Sequence, residues 1–112
     1  MKFVGRLRRS ALEGGAHMRL PYPPFDVLIA LVHGQPVAIE DACNHSGASL
    51  AVGPRTKDGN CVVCPLHGYV FELRTGKLRS PRGLCDDQRT FVVKDEGQGE
   101  LTVWDPFELV VR

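Results

Sequence analysis

Cys43-Asn44-His45-Ser46-Gly47 and Cys64-Pro65-Leu66-His67-Gly68 are the two stretches on which the reading of this chain turns. Each sets one thiol and one imidazole within a few residues and follows them with a glycine, giving the spacing C-x-H-x18-C-x2-H. Glycine admits backbone angles closed to other residues and lets the chain approach a bulky inorganic group. One histidine beside one cysteine carries little information. Two matched pairs, each on a tight loop, point to four metal ligands: Cys43, His45, Cys64 and His67.

Two metals suit such donors. A structural zinc site takes two cysteines and two histidines, but its usual spacing gathers the cysteines first and the histidines after. Here each loop is mixed. A binuclear iron–sulfur centre with both thiolates on one iron and both imidazoles on the other uses mixed loops, because each loop then reaches both metal atoms. Counting charge tells what such a centre does. Two ferric irons and two sulfides carry +2, two thiolates cancel it, and neutral imidazoles add nothing. The oxidised site is neutral and the reduced site −1, so it accepts one electron more readily than a four-thiolate centre; the potential rises from about −400 mV into the range of roughly −150 to +300 mV.

Outward from the loops, glycine and proline divide the chain into short apolar or alternating segments that read as strands. The expected strands are Lys2–Leu7, Ala16–Leu20, Val27–Val32, Pro36–Glu40, Asn60–Val63, Tyr69–Leu73, Arg89–Lys94 and Glu100–Trp104. Turn signals lie between them, among them His33-Gly34, Asp58-Gly59 and Thr75-Gly76. One helical turn is expected near Ser10–Glu13, with Ser10 as its cap and Gly14-Gly15 as its end. Many short strands make an all-β fold, an antiparallel sandwich or barrel.

At 112 residues, 43% hydrophobic and 24% charged, with a net charge of +1, the chain is one globular domain. A disordered tail and a generally basic nucleic-acid binder are excluded. Its longest apolar run, Val27–Val32, is far too short to span a membrane. The basic start, Met1 to Arg9, lacks the apolar stretch of a secretory signal, so a cytoplasmic location is expected. Charge is uneven. Residues 42–84 hold six basic and two acidic side chains, and Arg55, Lys57, Arg79 and Arg82 are candidates to steer an oppositely charged partner.

The stretches Ala38 to Leu50 and Cys64 to Lys77 resemble the two cluster loops, with flanking strands, of the Rieske [2Fe–2S] ferredoxins. The resemblance implies one [2Fe–2S] cluster per chain, a cluster-binding subdomain over about 41–72 and a basal β part made of about 1–40 and 73–112. Ser80-Pro81-Arg82-Gly83 is similar to the proline loop that covers the cluster in that family, with Gly83 where a second proline is usual. High-potential members carry an additional disulfide between the loops and hydroxyl donors to sulfur. This chain has Ala48 and Leu66 at the disulfide positions, and Tyr69 and Phe71 at the donor positions. It is therefore similar to the low-potential soluble ferredoxins of multicomponent oxygenases.

That likeness implies a monomeric one-electron carrier between a flavin-containing NAD(P)H reductase and a terminal oxygenase. It does not imply an enzyme. A complete oxygenase needs a second iron held by two histidines and a carboxylate, and no histidine follows His67. The alternatives are a small subunit fixed in a larger reductase, such as an assimilatory nitrite reductase, and a zinc-stabilised interaction module. Cys61 is expected as a buried core thiol, Cys85 as a free thiol, and His17 and His33 as structural. Leu66, beside His67, is the expected apolar contact of an electron-transfer tip.

Overall fold

The computed structural model describes residues 1–106. Among the described residues, nine strands form two antiparallel sheets: β1 (Lys2–Arg8), β2 (His17–Leu20), β3 (Val27–Val32), β4 (Gln35–Glu40), β5 (Cys61–Val63), β6 (Val70–Glu72), β7 (Leu78–Ser80), β8 (Thr90–Gly97) and β9 (Glu100–Asp105). The large sheet runs β1-β9-β8-β4-β3-β2, and the small one runs β5-β6-β7. The all-β antiparallel architecture is the one expected, although residues 107–112 of the basal part lie outside the described residues.

β3 explains how one sheet serves two cores. Successive side chains of a strand point to opposite faces. Leu28, Ala30 and Val32 enter one buried cluster with Ile39, Leu50, Val62, Tyr69, Phe71 and Leu73. Val27 and Ile29 enter a second with Leu7, Leu12, Ala38, Phe91, Leu101 and Val103. A strand covered on both faces cannot alternate apolar with polar, which is why Val27–Val32 is an unbroken apolar run. The first cluster also contains Cys43 and Cys64, so the two candidate thiol ligands are anchored in the core between the two sheets.

β3 and β4 close through a two-residue turn, Val32 pairing with Gln35, with φ of 50° at His33 and 80° at Gly34. Positive φ at both positions is the hairpin geometry that matches strand twist. His33 also reaches the small-sheet side, its Nε2 lying 2.8 Å from Asn60 Oδ1.

The segment Arg9–Gly15 forms 3-10 turns rather than an α-helical turn, and its cap position is Arg8, with no side-chain capping bond. Ser10 is therefore not the cap. The segment is held by Leu12, fully buried in the second cluster. β7 was not among the expected strands, because only Leu78 of its three residues is apolar and Arg79 and Ser80 are exposed. A 3-10 turn at Leu50–Val52 was likewise not expected. Gly76 sits where the chain following β7 crosses back. A Cβ there would lie 2.0 Å from the Gln88 carbonyl oxygen, so no other residue fits without moving backbone. Among the described residues, no helix is long and apolar enough to cross a membrane.

Candidate metal centre

The two loops share one backbone frame. In the first, the Cys43 N–H donates to the Ala48 carbonyl at 2.8 Å and the Gly47 N–H to the Cys43 carbonyl at 2.7 Å. In the second, the Cys64 N–H donates to the Tyr69 carbonyl at 2.7 Å and the Gly68 N–H to the Cys64 carbonyl at 3.0 Å. Gly47 and Gly68 close the two turns with φ of 76° and 72°, a region other residues enter at a cost. The frames are equivalent but the histidines are not. His45 takes the third place of its loop and His67 the fourth.

These turns bring the four expected residues together as two pairs, the Cys43 and Cys64 thiols within hydrogen-bond reach of each other and the His45 and His67 rings in contact. Cys43 and Cys64 are buried, whereas His45 and His67 are exposed. The two imidazoles meet edge to face with centroids 5.0 Å apart. Tyr69 stacks on His45 at 4.1 Å with an interplanar angle of 11°, so its ring is a packing wall for that imidazole. The donors form a buried sulfur pair and an outer nitrogen pair, which fits a two-iron group with different ligands on each iron.

The cysteines differ in electrostatics. Burial pushes the Cys64 thiol up, but hydrogen bonds from Ser46, the Leu66 N–H, Cys43 and the His67 N–H outweigh it and hold it below the ordinary thiol range. Burial raises Cys61 above that range. Cys85 is also raised, by burial first and then by negative charge at Cys43. Thiolate is the metal-binding form. Cys61 is buried, as expected, and Cys85 packs against the core that holds Cys43 and Cys64.

Several supporting residues had no signal in the sequence. Asp41, itself buried, accepts the Ala51 N–H at 2.8 Å through Oδ1, and the Leu50 N–H donates to its carbonyl at 2.9 Å. The His17 Nε2–H donates to the Ala51 carbonyl, a structural role of the kind expected. Asn44 donates from Nδ2 to the carbonyls of Asp86 and Asp87, at 3.2 and 2.6 Å. Gln88 donates from Nε2 to the carbonyls of Glu40 and Ala42, at 2.8 and 2.7 Å. Two of the four expected steering cations are engaged elsewhere: Arg55 donates to the carbonyls of Leu31 and Gly59, and Arg79 pairs with Glu72 at 2.7 Å. Lys57 and Arg82 remain exposed.

The Rieske [2Fe–2S] domain family matches residues 24–92, which include both loops and the strands that carry them. This chain belongs to the Rieske [2Fe–2S] family. The Rieske domain is similar to the ferredoxin component of biphenyl 2,3-dioxygenase from Rhodococcus jostii (strain RHA1), 37% identical over 90 residues that cover 80% of this chain and 81% of that one. It is 48% identical over 44 residues to cholesterol 7-desaturase nvd of Hemicentrotus pulcherrimus, but the match covers 39% of this chain and only 9% of that protein. Among solved structures, it superposes with TM-score 0.73 and 31% identity on a chain of the complex of reduced oxygenase and oxidized ferredoxin in carbazole 1,9a-dioxygenase, covering 88% of this Rieske chain and 92% of that chain. The match thus extends over most of a ferredoxin component and over a small part of the desaturase.

Proposed function

We propose that this protein is a one-electron carrier whose [2Fe–2S] cluster is held by Cys43 and Cys64 on one iron and by His45 and His67 on the other. The observation that carries the reading is the pairing of two buried thiols behind two exposed imidazoles on loops of equal frame. When bound, such a cluster supplies a one-electron couple. The cluster-binding unit is about residues 41–72, with β7 flanking it, and the basal part is the large sheet.

The chain's own residues do the rest. The core around Phe71, Leu73 and Tyr69 excludes water from the sulfur side. The imidazoles stand at the surface, next to Leu66, which is 62% exposed. Leu84, 63% exposed, lies on the segment that follows Pro81. A partner docking there would come close to the histidine edges, and a small apolar contact suits a complex that forms and dissociates with each electron.

A relative that this chain matches along most of its length is a dioxygenase ferredoxin component, which supports a carrier rather than an enzyme, and the carrier is proposed to act as a monomer. Its donor is a flavin-containing NAD(P)H reductase and its acceptor a terminal oxygenase. A cytoplasmic setting accords with the free thiols Cys61 and Cys85.

The test is anaerobic reconstitution followed by reduction. Two irons and two sulfides per chain, visible colour and a paramagnetic signal that appears with one electron are expected. A colourless zinc protein would overturn the reading. Isolation only as a fixed, stoichiometric part of a larger reductase would replace the mobile carrier with a subunit.

A further inference from the structure

The Ser46 hydroxyl lies 3.3 Å from Cys64 Sγ, crossing from the first loop to the cysteine of the second. We propose that Ser46 is a positioning and tuning residue of the centre, donating its hydroxyl hydrogen to Cys64 Sγ and thereby favouring the reduced state. This rests on the reading of Cys64 as a cluster ligand.

The direction of the hydrogen follows from the neighbouring contact. The Ala48 N–H donates to Ser46 Oγ at 3.3 Å, so the oxygen is already an acceptor toward its own loop. A serine hydroxyl has a single hydrogen to give. A metal-bound thiolate has none, so between Oγ and Sγ only the hydroxyl can donate.

The offset between the loops is what makes room for it. Both loops share one six-residue frame, but His45 occupies the third place of the first and His67 the fourth of the second. The first loop's fourth place is therefore free for a side chain that turns inward, and Ser46 fills it. In the second loop it is the third place that is free, and Leu66 fills it and faces solvent. Phe71, fully buried, brings no hydroxyl to the sulfurs, so Ser46 supplies a donor from the opposite loop.

The sign of the effect is electrostatic. One added electron takes the site from neutral to −1, with no proton or bond transferred. A hydrogen bond to an ionic acceptor is stronger than one to a neutral acceptor. The bond to Cys64 Sγ therefore strengthens on reduction and stabilises the reduced form.

Reduction potentials of the cluster-loaded wild type, Ser46→Ala and Ser46→Thr, measured by direct electrochemistry, test this. Ser46→Ala is expected to make the reduction equilibrium about three- to tenfold less favourable, roughly 30–60 mV lower for one electron, and Ser46→Thr to restore most of it. Should Ser46→Ala load poorly, Ser46→Val against Ser46→Thr reads the same hydroxyl at nearly constant shape. Equal potentials in loaded proteins with and without the hydroxyl would overturn the role of Ser46. A fully loaded, coloured Cys64→Ala would instead overturn the ligand assignment beneath it.

Discussion

Gln88 accepts the backbone N–H of Asn44 through Oε1 at 2.8 Å, and so holds the first loop from outside at the residue between Cys43 and His45. The equivalent place in the second loop is Pro65, which has no N–H to satisfy. The two loops thus solve one problem in two ways: proline removes the donor, and glutamine accepts it. The Gln88 amide is used completely, since its two N–H groups go to Glu40 and Ala42, and its backbone N–H donates to Gly76 at 2.7 Å.

Gln88→Ala leaves these partners without the amide in a buried setting. Each buried group left unsatisfied costs about 1–3 kcal/mol. The expected result is a loaded protein whose thermal unfolding midpoint falls by about 10 °C or more, at about 4–8 °C per kcal/mol for a domain near this size. Gln88→Glu should fall further, because a carboxylate would face the Glu40 and Ala42 carbonyls. An unchanged midpoint for both variants in a thermal scan of the holoprotein would show that the amide is not what holds the loop.

The ligand motif and the strands with strong apolar patterns were legible in the sequence because their physics is local. A thiol, an imidazole and a glycine on one turn announce themselves, and the unbroken run Val27–Val32 records a strand covered on both faces. The supports were not legible because they act across the chain. Gln88 meets Asn44 only after the large sheet brings β8 beside β4, and nothing near Gln88 in sequence marks it. Ser46 looked like an ordinary loop serine until the second loop folded against it. Arg55 and Arg79 read as free surface cations, yet the fold supplies carbonyls to one and Glu72 to the other. β7 has too little apolar content to show a period, and it is a strand because β6 offers it an open edge.

The four cysteines should separate cleanly on substitution. Cys43→Ala or Cys64→Ala, like His45→Ala or His67→Ala, should bleach the protein, because the loops depend on the metal for much of their order. Cys61→Ala and Cys85→Ala should keep full colour and iron content, with at most a modest loss of stability from the vacated core volume. Iron and sulfide per chain, measured on each variant, decide the matter. A coloured His67→Ala or a bleached Cys61→Ala would require a different ligand set.

The potential is expected in the lower half of the Rieske span, near or below about 0 mV. Leu66 and Ala48 stand where a loop-bridging disulfide would need cysteines, and Phe71 offers no hydroxyl. Tyr69 lies flat on His45, an arrangement that uses its ring as a wall. Ser46 supplies one hydroxyl contact to sulfur in partial compensation. Direct electrochemistry giving a value near the upper end of the span would mean that other dipoles around the site outweigh the missing donors.

Electron exchange should depend on Leu66. The side chain is exposed beside an exposed imidazole, and nothing in the core needs it, so Leu66→Glu should leave the cluster spectrum and unfolding midpoint intact. A carboxylate placed in an apolar contact must be desolvated on docking, which makes the encounter less productive. Reduction by the partner reductase, followed by stopped-flow, should slow about tenfold or more. The salt response is expected to be mild, because Arg55 and Arg79 are already engaged within the protein and Lys57 and Arg82 are left to steer. Lys57→Ala with Arg82→Ala should therefore remove most of the salt dependence while changing the rate at high salt little. An unaltered rate for Leu66→Glu with every physiological partner would move the docking surface away from the histidine tip and onto the large sheet.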